Sequence, residues 1–179
     1  MREIKENILT VSILEYLKHT VENAEFPWYY IENSAYDGTS DNVLNYSFYH
    51  LAFVSQKGIL SKYYDMTNLA ALMIKDAFEM NDYIITRLRW GMTTSSSKPH
   101  KNEPHIDLDN KHKTILFYLG DSDGDTYFYN NDKEEIDNIT PKMNKAVLFD
   151  GSILHSSSKP VTYGRRIVLN INLEKQELV

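Results

Sequence analysis

His105 and Asp107 stand two positions apart in EPHIDLDNKH (103–112), just ahead of the strand-like KTILFYLG (113–120). On an extended chain, residues i and i+2 project to the same side, so an imidazole and a carboxylate would aim together at one point. Two ligands hold a metal poorly, and a third is available in FDGSILHSSSKP: His155, 48 residues beyond Asp107, after a Gly-containing turn. Two neutral imidazoles and one carboxylate make the facial set that leaves open positions on non-haem iron(II). A lone His-x-Asp is also common as plain polar sequence at a strand mouth, and that alternative stays open on the spacing alone.

The last apolar stretch adds weight. In GRRIVLNINLE, Ile167, Leu169, Ile171 and Leu173 alternate with Arg166, Val168, Asn170 and Asn172. If the apolar set packs under helices, the alternate set faces a cavity, where Arg166 needs an anionic partner. A ligand carboxylate matches its planar fork. Arg165 falls on the other face by the same count. The alternative is that both arginines are solvated at the strand entrance.

These residues need elements to position them. SILEYLKHTVENA (12–24) reads as a helix with Ser12 and Glu15 in capping-box spacing and Leu14, Leu17 and Val21 on one face. TNLAALMIKDAFEMN (67–81) reads as a second helix, capped by Thr67, with Leu69, Leu72, Met73, Ala77 and Met80 inward. ENSAYDGTSDN (32–42) reads as a polar loop, and the aromatic run Phe26, Trp28, Tyr29 and Tyr30 belongs either to the core or to a pocket wall. From residue 83 the period changes to two, in DYIITRLRWGM, PHIDL, KTILFYLG, DTYFYN, KAVLFDG and RRIVLNINLE. Helices followed by at least six strands predict an α+β, mainly β protein: a sandwich or barrel flanked by N-terminal helices. One domain is expected over 1–179, with 1–82 a helical and loop buttress and 83–175 the β core. TTSSSKPHKN (93–102) is expected to be a loop at the mouth of the site, through which Lys98, His100 and Lys101 could meet substrate. His100 and His112 read as solvated, His19 and His50 as surface or helix-face residues.

Bulk composition narrows the function. A net charge of −6 weighs against a nucleic-acid partner, which wants a basic face. No apolar run approaches the ~20 residues of a membrane span, and MREIKEN lacks a signal-peptide pattern. The chain has no cysteine, so any metal must be held by His and carboxylates. A cytoplasmic location is expected.

Together, His105-Ile106-Asp107, the distal His155 and Arg166 resemble the iron(II)/2-oxoglutarate-dependent oxygenases, in their prolyl-4-hydroxylase-like branch. TRLRWGM is similar to the strand ahead of the family's His-x-Asp loop. KTILFYLGDSDGDTYF, ITPKMNKAVLFDG and HSSSKPVTYGRRIVLNINL resemble its later strands. FPWYY is similar to a segment of small phage-encoded members, which would put the protein in a host cytoplasm. The likeness extends over about residues 83 to 173. Asn144, Gly120 and Asp125 depart from the family pattern without touching a candidate ligand.

The resemblance implies a double-stranded β-helix, or jelly roll, with N-terminal flanking helices. It implies iron(II) on His105, Asp107 and His155, with 2-oxoglutarate and O2 as cosubstrates and Arg166 on the cosubstrate's distal carboxylate. Phe117 stands where some members carry a tyrosine that bonds that carboxylate, so Tyr118 is the substitute if the register differs. Asn170, on the Arg166 face, is a further candidate contact. The implied reaction releases succinate and CO2 and hydroxylates a small-molecule, peptide or protein substrate, with a prolyl or other peptidyl side chain first by analogy. Asp107 favours hydroxylation over halogenation, because no ligand position is freed for halide. The alternatives are a jelly-roll binding module without activity and a cupin-like metalloenzyme that does not use 2-oxoglutarate.

Overall fold

The computed structural model describes residues 2–32 and 44–176. In chain order the elements are Glu3–Glu6 (β1), Val11–Val21 (α1), Tyr29–Ile31 (β2), Ser47–Val54 (β3), Gly58–Ile59 (β4), Tyr64–Ala77 (α2), Tyr83–Thr94 (β5) and His100–Lys101 (β6). Lys113–Tyr118 (β7), Thr126–Tyr129 (β8), Glu135–Ile139 (β9), Lys145–Asp150 (β10), Leu154–Lys159 (β11) and Arg165–Lys175 (β12) follow. Among the described residues the strands form two antiparallel sheets. The major one runs β1-β10-β7-β12-β5-β3-β2 with β4 beside β3; the minor one runs β6-β11-β8-β9. Two facing sheets with helices on one outer side give the expected mainly β jelly-roll architecture.

Strand alternation sorts the major sheet into two faces. Leu88, Trp90, Ile115, Phe117, Ile167, Leu169, Ile171 and Leu173 share one core cluster with Leu14, Leu17 and Val21 of α1 and Ala70, Ala71 and Ile74 of α2. The opposite face sends Leu116, Tyr118, Val147, Phe149 and Val168 to meet Phe128 and Ile139 of the minor sheet. Arg166, Asn170 and Asn172 lie on this cavity-side face, as the alternation of the last strand predicts.

The helices differ in detail from expectation. Thr10 is the N-cap of α1 and makes no side-chain cap bond, so Ser12 is inside the helix and the capping box is not used. In α2, Thr67 is also internal, not a cap. The buried stripe of α2 is Thr67, Ala70, Ala71 and Ile74, while Leu69 and Leu72 are 56% and 40% exposed. Small residues let this helix lie close over Trp90, whose indole Nε1 donates to Thr67 Oγ1 at 3.0 Å. Bulky Leu69 and Leu72 do not fit that close seam.

The helix-and-loop reading of 1–82 holds only in part. β3 is an eight-residue strand of the major sheet, paired with β5. Its pattern was hidden because residues on both faces of this strand are at least half-covered, so alternation of polarity is lost. Phe26 belongs to the core against Trp28, His50 and Tyr63, whereas Tyr29 and Tyr30 lie exposed on the edge strand β2. Most of the polar loop expected at 32–42 lies outside the described residues.

Candidate active site

The His-x-Asp segment is not a regular strand. His105 makes one isolated antiparallel bridge, to His155 of β11, and Asp107 sits on a bend. The bridge brings together two imidazoles that are fifty positions apart in sequence, with ring centroids 4.9 Å apart. Asp107 Oδ2 lies 3.9 Å from His155 Nε2. One ligand atom from each of His105, Asp107 and His155 falls within 4.8 Å of the others, and among the described residues this is the one group of three such side chains so placed.

Both imidazoles are held in the same tautomer. His105 Nδ1 and His155 Nδ1 each lie 3.1 Å from a backbone carbonyl two residues earlier, that of Glu103 and that of Ile153. A carbonyl only accepts, so each Nδ1 carries the proton and each neutral ring presents the lone pair of Nε2. Burial, partly opposed by the Asp107 charge, pushes His155 down to about 4, which keeps it neutral at physiological pH.

Asp107 is held from several sides. Its side chain is 3% exposed. Burial alone would push its carboxyl up, but the charge of the Arg87 guanidinium and the hydrogen bond from Asn170 hold it below the usual carboxylate range. Arg87 Nη2 donates to Oδ1 at 2.8 Å. Asn170 Nδ2 and Asn172 Nδ2 donate to Oδ2 at 2.9 and 3.0 Å, and Thr114 Oγ1 does so at 3.3 Å. Arg87, Asn172 and Thr114 stand in one row across β5, β12 and β7, since Asn172 is in register with both others.

The triad borders an open cleft whose lining includes Arg89, Thr126, Arg166 and Asn170. Arg166 is 5% exposed, and burial pulls its pKa down. Its Nη2 donates to Thr126 Oγ1 at 2.7 Å, while its Nε is buried without a partner. Among the described residues no carboxylate pairs with it at salt-bridge distance. Arg165 is exposed and pairs with Glu22 at 3.2 Å, so the two arginines divide between the faces as the alternation requires. Tyr118 is fully buried behind this corner. Its ring lies beside the Arg166 guanidinium and its hydroxyl donates to Thr126 Oγ1 at 2.8 Å, whereas Phe117 faces the helices.

Several histidines differ from expectation. His50 is buried in β3 between Pro27 O and Ser61 Oγ, because it fills space under the aromatic cluster rather than facing water. His112 is also buried, its ring against Gly151, which has no side chain to exclude it. His100 is partly buried, with Nε2 2.9 Å from Asn45 Oδ1. His19 is exposed as expected. In the 93–102 segment, Thr93 lines the cleft and Lys98 is exposed. Arg87 and Thr114 were missed by sequence reasoning. Their signal was position on the cavity face of β5 and β7, which becomes readable only once the strand faces are known.

Residues 92–174 match the family model of the 2OG-Fe(II) oxygenase superfamily. No curated protein matches by sequence. Among solved structures, the fold is similar to a 2OG-Fe(II) oxygenase family oxidoreductase from Burkholderia pseudomallei (TM-score 0.72, 12% identity, covering 97% of this chain and 84% of that one). It is also similar to a prolyl hydroxylase from Trichoplax adhaerens in complex with a hypoxia inducible factor oxygen degradation domain peptide fragment (0.68, 17%, 97% and 83%). A third is HygX from Streptomyces hygroscopicus with nickel, 2-oxoglutarate and hygromycin B bound (0.63, 8%, 97% and 82%). At these identities the structural likeness is one of fold. The family match spans His105, Asp107, His155 and Arg166, so this part of the chain is similar to the 2OG-Fe(II) oxygenase superfamily, whose members use iron(II), 2-oxoglutarate and oxygen.

Proposed function

We propose that the protein is a hydroxylase in which His105, Asp107 and His155 hold iron(II) and Arg166 binds the distal carboxylate of 2-oxoglutarate. The observation that carries this reading is a buried guanidinium without a carboxylate, lining the same cleft as two imidazoles and a carboxylate whose donor atoms converge. The donor set fits the metal: two nitrogen ligands with fixed tautomer and one anionic oxygen, on one side of the site, leave the other side open. Iron(II) with 2-oxoglutarate and oxygen supplies the oxidising power, at the cost of converting 2-oxoglutarate to succinate and CO2.

The residues divide the remaining work. Each imidazole, with its Nδ1–H turned to a backbone carbonyl, offers the lone pair of Nε2. Asp107 brings one negative charge, so the centre keeps a positive balance that favours an anionic chelator. Arg166 sets how deep the cosubstrate sits, and Thr126 and Tyr118 orient the guanidinium from behind. Asn170 faces the cleft with a buried, unpartnered Oδ1. Being an acceptor, that atom suits a water or a substrate hydroxyl or amide rather than a carboxylate oxygen.

A prolyl or other peptidyl side chain is the substrate class we infer. The cleft is lined at its edge by Ser47 and Phe48. Phe48 leads through Tyr46 to exposed Tyr30, rings 5.9 to 6.3 Å apart, and these apolar faces suit an extended peptide. The solved relative that carries a peptide adds to this choice. The test is an anaerobic calorimetric titration of 2-oxoglutarate into metal-free and iron(II)-loaded protein, followed by succinate release with proline-containing peptides. Binding that needs iron and succinate release driven by peptide support the reading. Iron without 2-oxoglutarate affinity points to a cupin-like metalloenzyme, and no metal binding to a jelly-roll module.

A further inference from the structure

Asp107 lies on a bend outside both sheets, so no strand ladder fixes its main chain. What reaches it is Arg87, from the middle of the twelve-residue strand β5. The guanidinium holds three acceptors at once: Asp107 Oδ1 from Nη2 at 2.8 Å, the Asp107 backbone carbonyl from Nη1 at 3.3 Å, and Asn172 Oδ1 from Nε at 2.7 Å. One planar group thus grips side chain and main chain of the same residue and is itself steadied by the neighbouring strand. Asn172 is locked in turn, since its Oδ1 faces Arg87 and its Nδ2 must point to Asp107 Oδ2 and Thr114 Oγ1.

The two carboxylate oxygens are therefore unequal. Oδ1 is turned to Arg87, and Oδ2 is the oxygen that approaches His155 Nε2. We propose that Arg87 is a positioning residue for the metal centre: it withdraws Oδ1 so that Asp107 ligates through Oδ2 alone, and it anchors the loop that carries Asp107. The proposal rests on the three-ligand reading above. A one-oxygen carboxylate leaves one more position for exogenous ligands than a two-oxygen one, which is what a chelating cosubstrate plus oxygen requires. Oδ2 already takes three donors, from Thr114, Asn170 and Asn172, against its roughly two lone-pair sites, so a metal on that oxygen must displace at least one. Asn170 is the displaceable one, because it lines the cleft and has no other partner holding its amide.

Arg87→Lys tests this, since it keeps the charge and removes the fork. Cobalt(II) is titrated anaerobically into wild type and Arg87→Lys, reading affinity and the visible ligand-field spectrum without turnover. The expected result is wild-type binding, with the variant about tenfold or more weaker and its spectrum altered, in the range seen when partners of metal ligands are removed. If the variant matches wild type in affinity and spectrum and differs only in melting temperature, Arg87 is a structural ion pair and the proposal is overturned while the metal reading stands. If wild type binds no cobalt(II), the three-ligand reading fails and takes the proposal with it. Should the variant not fold, a crystal structure of manganese(II)-loaded wild type decides: Oδ2 alone on the metal with Oδ1 on Arg87 supports it, and any ligation through Oδ1 overturns it.

Discussion

The main chains of His105 and His155 hold each other directly: each N–H donates to the other's carbonyl oxygen, both at 3.0 Å. This reciprocal pair is the sole ladder contact of the His-x-Asp segment among the described residues, and it sets the spacing of two candidate ligands through backbone rather than side-chain geometry. The imidazoles are then free to keep their Nε2 atoms for the cleft.

A buried neutral histidine makes the metal-free protein sensitive to acid. His155 is held at about 4, against ~6.5 for an unperturbed imidazole. Between those values the unfolded chain takes up a proton that the native one does not. Its contribution is therefore complete above about pH 6.5 and is lost as pH falls towards 4, to a total on the order of 3 kcal/mol. Urea unfolding of metal-free protein at pH 7.5 and 4.5, compared with His155→Gln, reads it. The variant is expected to show the shallower pH dependence.

On the proposed reading, Arg166 serves a ligand rather than stability. A buried guanidinium with no carboxylate partner gives the fold little, so metal-free Arg166→Met is expected to melt no lower than wild type. Its affinity for 2-oxoglutarate is expected to fall by about 100-fold, the loss of charge-assisted bonds, with manganese(II) binding retained. Calorimetry beside a melting curve separates the two effects. A variant that melts far lower would make Arg166 a structural residue.

Gly151 carries a packing constraint. A Cβ built there would stand 2.2 Å from His112 Nε2. Gly151→Ala is therefore expected to lose about 1–3 kcal/mol of stability as the buried ring is forced aside. Adding His112→Ala opens the space, so the double variant should lose less than the two single changes summed. Denaturant midpoints of the four proteins check this.

The packed seam between α2 and the sheet contains one buried side-chain hydrogen bond. Thr67→Val keeps the volume but leaves buried Trp90 Nε1 without its acceptor, an expected cost of about 1–3 kcal/mol. Equilibrium unfolding measures it, and an unchanged midpoint would mean that the indole finds another partner.

Much of the site was legible from local pattern. Two residues on, an extended chain returns to the same side, so His105 with Asp107, and Arg166 with Val168, Asn170 and Asn172, could be grouped before any contact was known. The strict alternation of β12 also separated Arg166 from Arg165. The same logic failed for α2, because helical period identifies candidate stripes and the closeness of the neighbouring sheet selects between them. Here the sheet selected the small-residue stripe of Ala70 and Ala71 over Leu69 and Leu72.

What the amino-acid order determined by itself was the chemistry on offer: which side chains could act as ligands, which strand faces are apolar, and that no thiol takes part. Tertiary structure alone decided which polar residues meet. Arg87, an ordinary strand arginine in the sequence, becomes the partner of Asp107 because β5 lies beside β12 and turns that face to the cleft. His50 and His112 were hidden for the same reason, since burial is a property of what folds over a residue. Periodicity is encoded over two to four positions, whereas the contacts that hold Asp107 span 7 to 65.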